Sequence, residues 1–250
     1  MSLSHTIEGA MQARPDVMLL AAGLGRRMLP LTAHTPKPLL RVGGMALIDH
    51  VIEAARAEGC TRFVVNAHHH AGQVLEHVAG VAAEFPALSF QVSHEFETLL
   101  ETGGGLKKAL PLLEGDPILA MNADAFWPVG ADAPIARMLE RFAEGRADIV
   151  LLCVHPHRAI GFRRSHDFCL DPRGRVTRDA GAPVVYAGVA LIARSALADT
   201  PDGPFSLNLV FDRALEAGRL AGVPLMAPWL HVGDPEAMLE AGRALADLNP

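Results

Sequence analysis

The 250-residue sequence has no long apolar run, no excess of basic charge and only three cysteines. No apolar stretch is long enough to cross a bilayer and no signal peptide opens the chain, so we expect a cytoplasmic protein without membrane insertion. A formal net charge of −6 argues against a nucleic-acid partner. Cys60, Cys153 and Cys169 form no C-x-x-C pair, which favours reduced residues of a cytosolic protein.

Two common phosphate-binding motifs are absent as well. The dinucleotide motif G-x-G-x-x-G would need a third glycine where Met28 stands, after Gly23 and Gly25. The Walker A motif, G-x-x-x-x-G-K-[ST], does not occur. These absences argue against a Rossmann dinucleotide site and against a P-loop.

The sequence does contain an anion-binding pattern in the stretch VMLLAAGLGRRMLPLTAHTPKPLL. Its apolar start predicts a strand that leads into a small-residue loop containing Gly23 and Gly25. These glycines let the backbone come close to a bulky anion, and loop N–H groups can point at phosphate oxygens. Arg27 and Lys37, the latter set between two prolines, add charge that matches a polyphosphate. The pattern predicts binding of a nucleoside triphosphate.

Strand-like and helical patterns alternate along the chain, and half of the residues are hydrophobic. This alternation predicts an α/β fold with one doubly wound, mostly parallel sheet in a single domain. Strands are expected at residues 17–20, 62–66, 88–93, 117–121, 147–154, 184–193 and 223–227. Helices are expected at residues 46–58, 72–84, 104–110, 134–143, 207–217 and 235–248.

Polar residues follow the apolar strand PILAM at once, with Asn122 and then Asp124. Ligands bind beyond the carboxyl ends of strands in open α/β sheets, so Asp124 is a candidate ligand for a hard divalent cation. A second candidate is Thr102–Gly105, where three glycines ahead of a predicted helix indicate close backbone approach to a ligand. The alternatives are a carboxylate that caps a helix and a flexible helix-entry turn.

Several motifs in order resemble the signature of sugar-1-phosphate nucleotidyltransferases. The signature L-A-A-G-x-G-x-R, P-L-T and P-K-P-L stands here at residues 20–27, 30–32 and 36–39. With ETGGG at residues 101–105 and the short length, the chain most resembles N-acetylmuramate-1-phosphate uridylyltransferases of bacterial cell-wall (peptidoglycan) recycling. The resemblance starts near Val17, is strong up to Asp124 and is thin between Val154 and Val184.

The resemblance implies a Rossmann-like nucleotidyltransferase fold over residues 15–250. It further implies a nucleotide half at about residues 15–130, a sugar half at about 131–250, and a loose arm at residues 1–14. Its implied catalytic residues are Arg27, Lys37 and Asp124. Its implied nucleotide-binding residues are Ala22, Gly23, Gly25, Arg26, Arg27, Thr102, Gly103, Gly104 and Asn122. Its implied sugar-binding residues are Tyr186 and Gly188, and its implied cofactor is Mg²⁺ on Asp124, with Mn²⁺ as an alternative.

One segment departs from the family pattern W-x-D-V-G-T. In WLHVGD, His231 stands where the family has the aspartate that is its second metal ligand, and Asp234 stands in the threonine's place. Three interpretations stay open. His231 binds a softer metal; or Asp234 reaches the metal; or Asp124 and the substrate phosphates hold Mg²⁺ while Asp234 caps the helix that starts near Pro235.

The activity that the resemblance implies is transfer of a nucleotidyl group from UTP to N-acetylmuramate 1-phosphate, with release of pyrophosphate. The substrate partners would be an NTP and a sugar 1-phosphate. One alternative is another enzyme of this class, such as a mannose-1-phosphate guanylyltransferase that uses GTP. A second alternative is a catalytically weak regulatory domain that binds a nucleotide sugar.

Overall fold

Strands and α-helices alternate along residues 14–248, the part of the chain that the computed structural model describes. The strands are β1 (Val17–Leu20), β2 (Arg41–Val42), β3 (Met45–Ala46), β4 (Arg62–Ala67), β5 (Ser89–His94), β6 (Ile118–Asn122), β7 (Ala125–Phe126), β8 (Ile149–Val154), β9 (Ala159–Ile160), β10 (Phe168–Leu170), β11 (Val176–Thr177), β12 (Ala182–Ile192), β13 (Leu220–Leu225) and β14 (Trp229–His231). The helices are α1 (Leu47–Ala57), α2 (Ala71–Glu84), α3 (Glu101–Ala109), α4 (Pro134–Ala143), α5 (Asn208–Glu216) and α6 (Pro235–Leu248). The expected N-terminal arm lies, except for residue 14, outside the described residues.

The middle of the principal sheet is parallel and has the strand order β6–β1–β4–β5. Successive side chains of a strand point to opposite faces, so β1 contributes to two apolar clusters. Val17 and Leu19 belong to the cluster that includes residues of α1 and α4, and Met18 belongs to the cluster that includes residues of α3 and α5. The expected α/β architecture with a doubly wound, mostly parallel sheet is therefore confirmed.

The long strand β12 connects the second part of the chain to this sheet by antiparallel pairing. It pairs with β6 and with β8, and β8 in turn pairs in parallel with β13. The β12–β8 register shifts between Tyr186 and Ala190, where Gly188 has a φ of +75°. A Cβ at position 188 would lie 3.0 Å from Nδ2 of Asn122. Glycine thus allows this bulge to approach the end of β6.

Helix α4 begins and ends at the predicted residues. Two features fix its start, a proline and a capping carboxylate. Pro134 occupies the first helical position, where a missing N–H costs nothing. The carboxylate of Glu58 then accepts hydrogen bonds from the N–H groups of Ile135 and Ala136 at 3.1 and 2.9 Å. A capping group from a separate helix end therefore satisfies two N–H groups that have no partner within α4.

Two of the expected elements are displaced, and two small sheets, one of them the β2–β3 pair, were not expected. Helix α3 begins at Glu101 rather than at Gly104, so the three glycines lie inside the helix. Strand β13 covers Leu220–Leu225 rather than residues 223–227. The short strands β7, β14 and β9 form a separate three-stranded sheet. Strands of two or three residues are too short to produce a hydrophobic period in the sequence.

The three cysteines lie in the interior of the protein. Cys60, Cys153 and Cys169 are all buried and free. Burial raises the pKa of the Cys60 and Cys153 thiols to about 12, which keeps both protonated at neutral pH.

Over residues 14–248, no helix is both long enough and apolar enough to cross a membrane.

Candidate active site

The carboxyl ends of three adjacent parallel strands bring the predicted site residues together. In the register of β1 and β6, Leu20 pairs with Asn122. The glycine loop therefore leaves β1 directly beside the segment that carries Asp124. The N–H of Ala123 donates to the carbonyl of Leu20 at 3.2 Å, which holds the two chain segments together. This edge of the sheet is where open α/β folds bind their ligands.

The loop after β1 has the geometry of an anion site. Gly25 has a φ of +61°, and a Cβ there would lie 2.8 Å from Cγ2 of Thr32 and 3.2 Å from Cβ of Lys37. The Thr32 hydroxyl donates to the Gly25 carbonyl at 2.9 Å, which explains the threonine of the P-L-T motif. In the part of the chain that the structure describes, the N–H groups of Gly23, Leu24 and Gly25 have no acceptor. They remain available to phosphate oxygens.

A buried amide, which the motifs did not single out, anchors this loop. Oδ1 of Asn66 accepts hydrogen bonds from the N–H groups of Ala21 and Ala22 at 2.6 and 3.2 Å. Nδ2 of Asn66 donates to Oε1 of Glu95 at 2.7 Å, and Oε2 of Glu95 accepts from the N–H of Leu100 at 2.8 Å. Because Ala22 donates its N–H to Asn66, it would not donate that N–H to a phosphate. The available sequence signal was a polar residue at the end of the apolar strand RFVVN.

Lys37 and Asp124 form an ion pair at the centre of the site. Nζ of Lys37 lies 2.5 Å from Oδ2 of Asp124, and only 12% of the lysine side chain is exposed. Burial by itself raises the pKa of Asp124, but the ammonium group of Lys37, which also donates a hydrogen bond to the carboxylate, and the charge of Arg27 outweigh it. The pKa of Asp124 is therefore below its ordinary value, and the carboxylate is ionised at neutral pH.

Two clefts meet at this ion pair. The inner cleft is lined by Leu20, Ala21, Ala22, Gly23, Lys37, Pro38, Asn66, Leu99, Glu101, Thr102, Asn122, Ala123 and Asp124. The loop cleft is lined by Gly23, Leu24, Gly25, Arg26, Arg27, Met28, Lys37, Leu99, Asp124 and Gly233. Glu101, which the family signature did not assign a role, enters the inner cleft from a left-handed backbone conformation with a φ of +58°. Such a φ is uncommon for a residue other than glycine and often marks a functional site.

A third cavity, the side pocket, shares Asn122 with the inner cleft. It is lined by Asn122, Ala125, Phe162, Arg164, His166, Asp167, Phe168, Arg178, Tyr186, Gly188, Asn208, Asp212, Trp229 and His231. The two residues expected to bind a sugar, Tyr186 and Gly188, therefore face the same cavity as Asn122. Six lining residues come from residues 162–178, within the segment where the resemblance is thin.

His231 and Asp234 lie in different environments. Strand β14 places His231 opposite Ala125, one residue after Asp124. Its Nδ1 is buried and has no hydrogen-bond partner among the described residues. Burial lowers the pKa of His231, and the neighbouring Asp124 offsets this only in part, so the imidazole is neutral at pH 7. Oδ1 of Asp234 instead accepts from the N–H of Ala237 at 2.8 Å. Asp234 therefore caps the helix that starts at Pro235.

The glycines of α3 approach protein rather than an open cleft. The N–H groups of Gly103 and Gly104 both donate to the carbonyl of Phe205. A Cβ at Gly103 would lie 2.3 Å from the Phe205 ring, and a Cβ at Gly104 would lie 2.3 Å from the carbonyl oxygen of Gly203. The expectation that these two glycines open the backbone to a ligand was wrong, because the glycines let α3 pack on residues 203–205. Thr102, just before them, does line the inner cleft.

A loop of free N–H groups, a partly buried lysine–carboxylate pair and adjoining clefts on a Rossmann-like sheet are the features of a nucleotidyltransferase. The chain belongs to the family of the MobA-like NTP transferase domain, whose profile matches residues 17–238. This match and the relatives below confirm the membership in the sugar-1-phosphate nucleotidyltransferases that the motifs predicted.

Two curated relatives and one solved structure are similar to the chain over most of its length. The N-acetylmuramate alpha-1-phosphate uridylyltransferase of Caulobacter vibrioides is 40% identical over 94% of this chain and 99% of its own length. The protein of that name from Neisseria meningitidis is 32% identical over 92% of this chain and 97% of its own length. The structure of a UDP-glucose pyrophosphorylase complexed with UDP-glucose has a TM-score of 0.75 at 14% identity, over 95% of this chain and all of its own. At that identity, the last comparison establishes the fold alone.

The packing of Gly104 generates a prediction about stability. Gly104→Val should lower the free energy of unfolding by about 2–3 kcal/mol, because the new side chain collides with the Gly203 carbonyl and forces α3 to shift. Thermal unfolding measures the change. Gly80→Val is the matched control, since Gly80 also lies in a helix and a Cβ there meets nothing within 4 Å. A Gly104→Val protein of normal stability that no longer binds nucleotide would contradict this assignment.

Proposed function

We propose that this protein transfers the uridylyl group of UTP to N-acetylmuramate 1-phosphate, giving UDP-N-acetylmuramate and pyrophosphate. The observation that carries the proposal is the Lys37–Asp124 ion pair, which lines both the inner cleft and the loop cleft. The names of the Caulobacter and Neisseria relatives support the choice of substrates. The inner cleft would hold the nucleoside, the loop cleft the β- and γ-phosphates, and the side pocket the sugar.

The reaction needs no nucleophilic side chain. An oxygen of the sugar phosphate attacks the α-phosphorus of UTP, the new phosphorus–oxygen bond forms, and the bond to the α–β bridging oxygen breaks. Pyrophosphate leaves with that oxygen and its electron pair. The protein must hold two anions together and stabilise the charge that develops, which is positioning and electrostatic catalysis.

Arg27 and Lys37 would have different roles, because they differ in the clefts that they line. Arg27 lines the loop cleft with the free N–H groups, so it would hold the β- and γ-phosphates and stabilise departing pyrophosphate. Lys37 lines both clefts, so it would lie between the two reacting phosphates and reduce their repulsion. Its bond to Asp124 holds the ammonium group in place before the substrates bind.

The donor set at this point suits a divalent cation that substrates help to hold. Mg²⁺ is usually bound by one or two carboxylates together with substrate phosphates and water. Asp124 is ionised and would provide the carboxylate. Within residues 14–248, no cluster of three His, Cys, Asp or Glu side chains could complete a shell without the substrate. When bound, Mg²⁺ would neutralise charge on the α-phosphate.

The test of the function is a product screen across four NTPs and four sugar 1-phosphates. The four substrates are the 1-phosphates of N-acetylmuramate, N-acetylglucosamine, glucose and mannose. The readouts are pyrophosphate release and the mass of the nucleotide sugar. We expect UTP with N-acetylmuramate 1-phosphate to give the highest kcat/KM. Preference for GTP with mannose 1-phosphate would contradict the proposal. Binding without turnover under any metal would instead indicate a regulatory domain.

Lys37→Ala tests the charge stabilisation. We expect kcat to fall by about 100-fold or more, on the order of 3 kcal/mol, because a preorganised cation between the phosphates is lost. The affinity for UTP should fall less, since Arg27 and the loop N–H groups remain. The measurements are steady-state kinetics and UTP titration. Lys108→Ala is the control, because Lys108 is exposed, lines none of the three clefts and, among the described residues, bonds only to the His94 carbonyl. Near-normal turnover in Lys37→Ala would remove this lysine from the mechanism.

His231→Asp tests whether position 231 faces the metal. We expect the Mg²⁺ concentration for half-maximal activity to fall roughly tenfold, because a carboxylate beside Asp124 binds Mg²⁺ better than an imidazole does. Electron paramagnetic resonance of Mn²⁺ gives a second readout, the affinity for the metal without turnover. His157→Asp is the control, because it makes the same substitution on an exposed turn. Identical metal activation curves for His231→Asp and the parent protein would place His231 outside the metal shell.

A further inference from the structure

Two arginines in the side pocket are each held between an aromatic ring and an aspartate. Cζ of Arg164 lies 5.3 Å from the centroid of the Phe162 ring, and its Nη2 lies 2.7 Å from Oδ1 of Asp167. Cζ of Arg178 lies 4.9 Å from the centroid of the Phe168 ring. Nη2 of Arg178 donates to Oδ1 of Asp212. Stacking and ion pairing together orient a planar guanidinium group more than either does alone.

The aspartates use only a small part of the hydrogen-bonding capacity of these arginines. Asp167 is mainly a structural group, since its Oδ2 accepts the N–H of Tyr186 at 3.0 Å and its side chain is only 12% exposed. Arg164 is 73% exposed and Arg178 is 53% exposed. A guanidinium group carries five N–H donors. Among the described residues, one Nη2 of each arginine meets a carboxylate and the other nitrogens have no acceptor.

The two arginines lie on segments other than those that carry the residues around Asp124, where the phosphates would react. The side pocket reaches the reacting centre through Asn122 and His231, which adjoin Asp124. Arg164 and Arg178 lie instead on the loop before β10 and the turn after β11. The 1-phosphate of a bound sugar must lie near Asp124, so the arginines would face other substituents of the sugar ring. Neutral hydroxyl and acetamido groups do not need two cations, whereas a carboxylate matches the fork of a guanidinium group.

N-acetylmuramate differs from N-acetylglucosamine by a lactyl ether whose carboxylate is ionised at neutral pH. We propose that Arg164 and Arg178 bind this carboxylate through their free N–H groups and thereby select an acidic sugar 1-phosphate. The inference rests on the proposed function. Asp167 and Asp212 balance the two positive charges when the pocket holds no acid. The acid is therefore recognised by hydrogen-bond donors that are already oriented rather than by an excess of charge.

The experiment compares two substrates that differ only in the lactyl group. With UTP held saturating, kcat and KM are measured for N-acetylmuramate 1-phosphate and for N-acetylglucosamine 1-phosphate. The proteins are the parent chain, Arg164→Gln, Arg178→Gln, the double variant and Arg163→Gln. Arg163 is the matched control, because it adjoins Arg164 in sequence but pairs with Glu236 and Glu240 of α6.

We expect the parent chain to prefer the acidic sugar and each variant to lose part of that preference. Each single substitution should reduce the ratio of the two kcat/KM values by about tenfold, through KM for the acidic sugar, as for loss of a charge-assisted hydrogen bond. The double variant should lose more, and Arg163→Gln should keep the parent ratio. Thermal unfolding establishes that each variant is folded.

The contrary outcomes separate this inference from the function on which it rests. If the parent chain turns over neither sugar with UTP, the proposed function fails and the inference fails with it. If the parent chain turns over both sugars equally well, nucleotidyl transfer stands and selection of the carboxylate is overturned. Equal losses on both sugars in the arginine variants would assign the arginines a structural role, and an unchanged ratio would also overturn the inference.

Discussion

The geometry of the catalytic edge depends on one buried amide, Asn66. Its oxygen holds the first two N–H groups of the loop after β1, and its nitrogen is held by Glu95. Glu95 in turn fixes the residue that precedes α3. A Cβ at Gly105 would lie 2.6 Å from Nδ2 of Asn66 and 2.8 Å from Oε1 of Glu95, so the third glycine of α3 leaves room for this pair. Asn66 and Glu95 are buried polar side chains that hydrogen-bond to each other. They thus hold the ends of β1, β4 and β5 in fixed relative positions.

The arrangement of charges around Asp124 depends on the same Asn66–Glu95 pair. The Asn66 amide accepts the N–H groups of Ala21 and Ala22. The free N–H groups of the loop therefore belong to residues 23–25, which precede Arg27. Lys37 then lies between that anion site and Asp124, on a turn whose flanking prolines limit its backbone freedom. The positive charges keep a largely buried carboxylate ionised, so both signs of charge are in place before substrate arrives. Little reorganisation remains for the reaction itself.

The sequence predicted the parallel core and the catalytic edge because both have local signals. Apolar strands such as PILAM, followed by polar residues, identify the carboxyl ends of strands, and the motifs identify the loop. Long-range packing has no such signal. The glycines of α3 suggested a ligand, yet their neighbours are Phe205 and Gly203, about a hundred residues away in sequence. A sugar site was expected only at Tyr186 and Gly188, because Phe162, Arg164, His166 and Asp167 lie on a loop without periodicity, and the remaining lining residues come from elements that are distant in sequence.

This division between predictable and unpredictable parts has a chemical reason. Nucleotidyl transfer requires the same charges whatever the sugar, so the residues that carry it fit a short, ordered pattern. In the function that we propose, recognition of the sugar uses the loops between β9 and β12, where the resemblance to the family is thin. Asn122 lines both the inner cleft and the side pocket, and the bulge at Gly188 approaches Asn122 closely. A change in those loops can therefore alter the side pocket while the positions of Lys37 and Asp124 stay as they are.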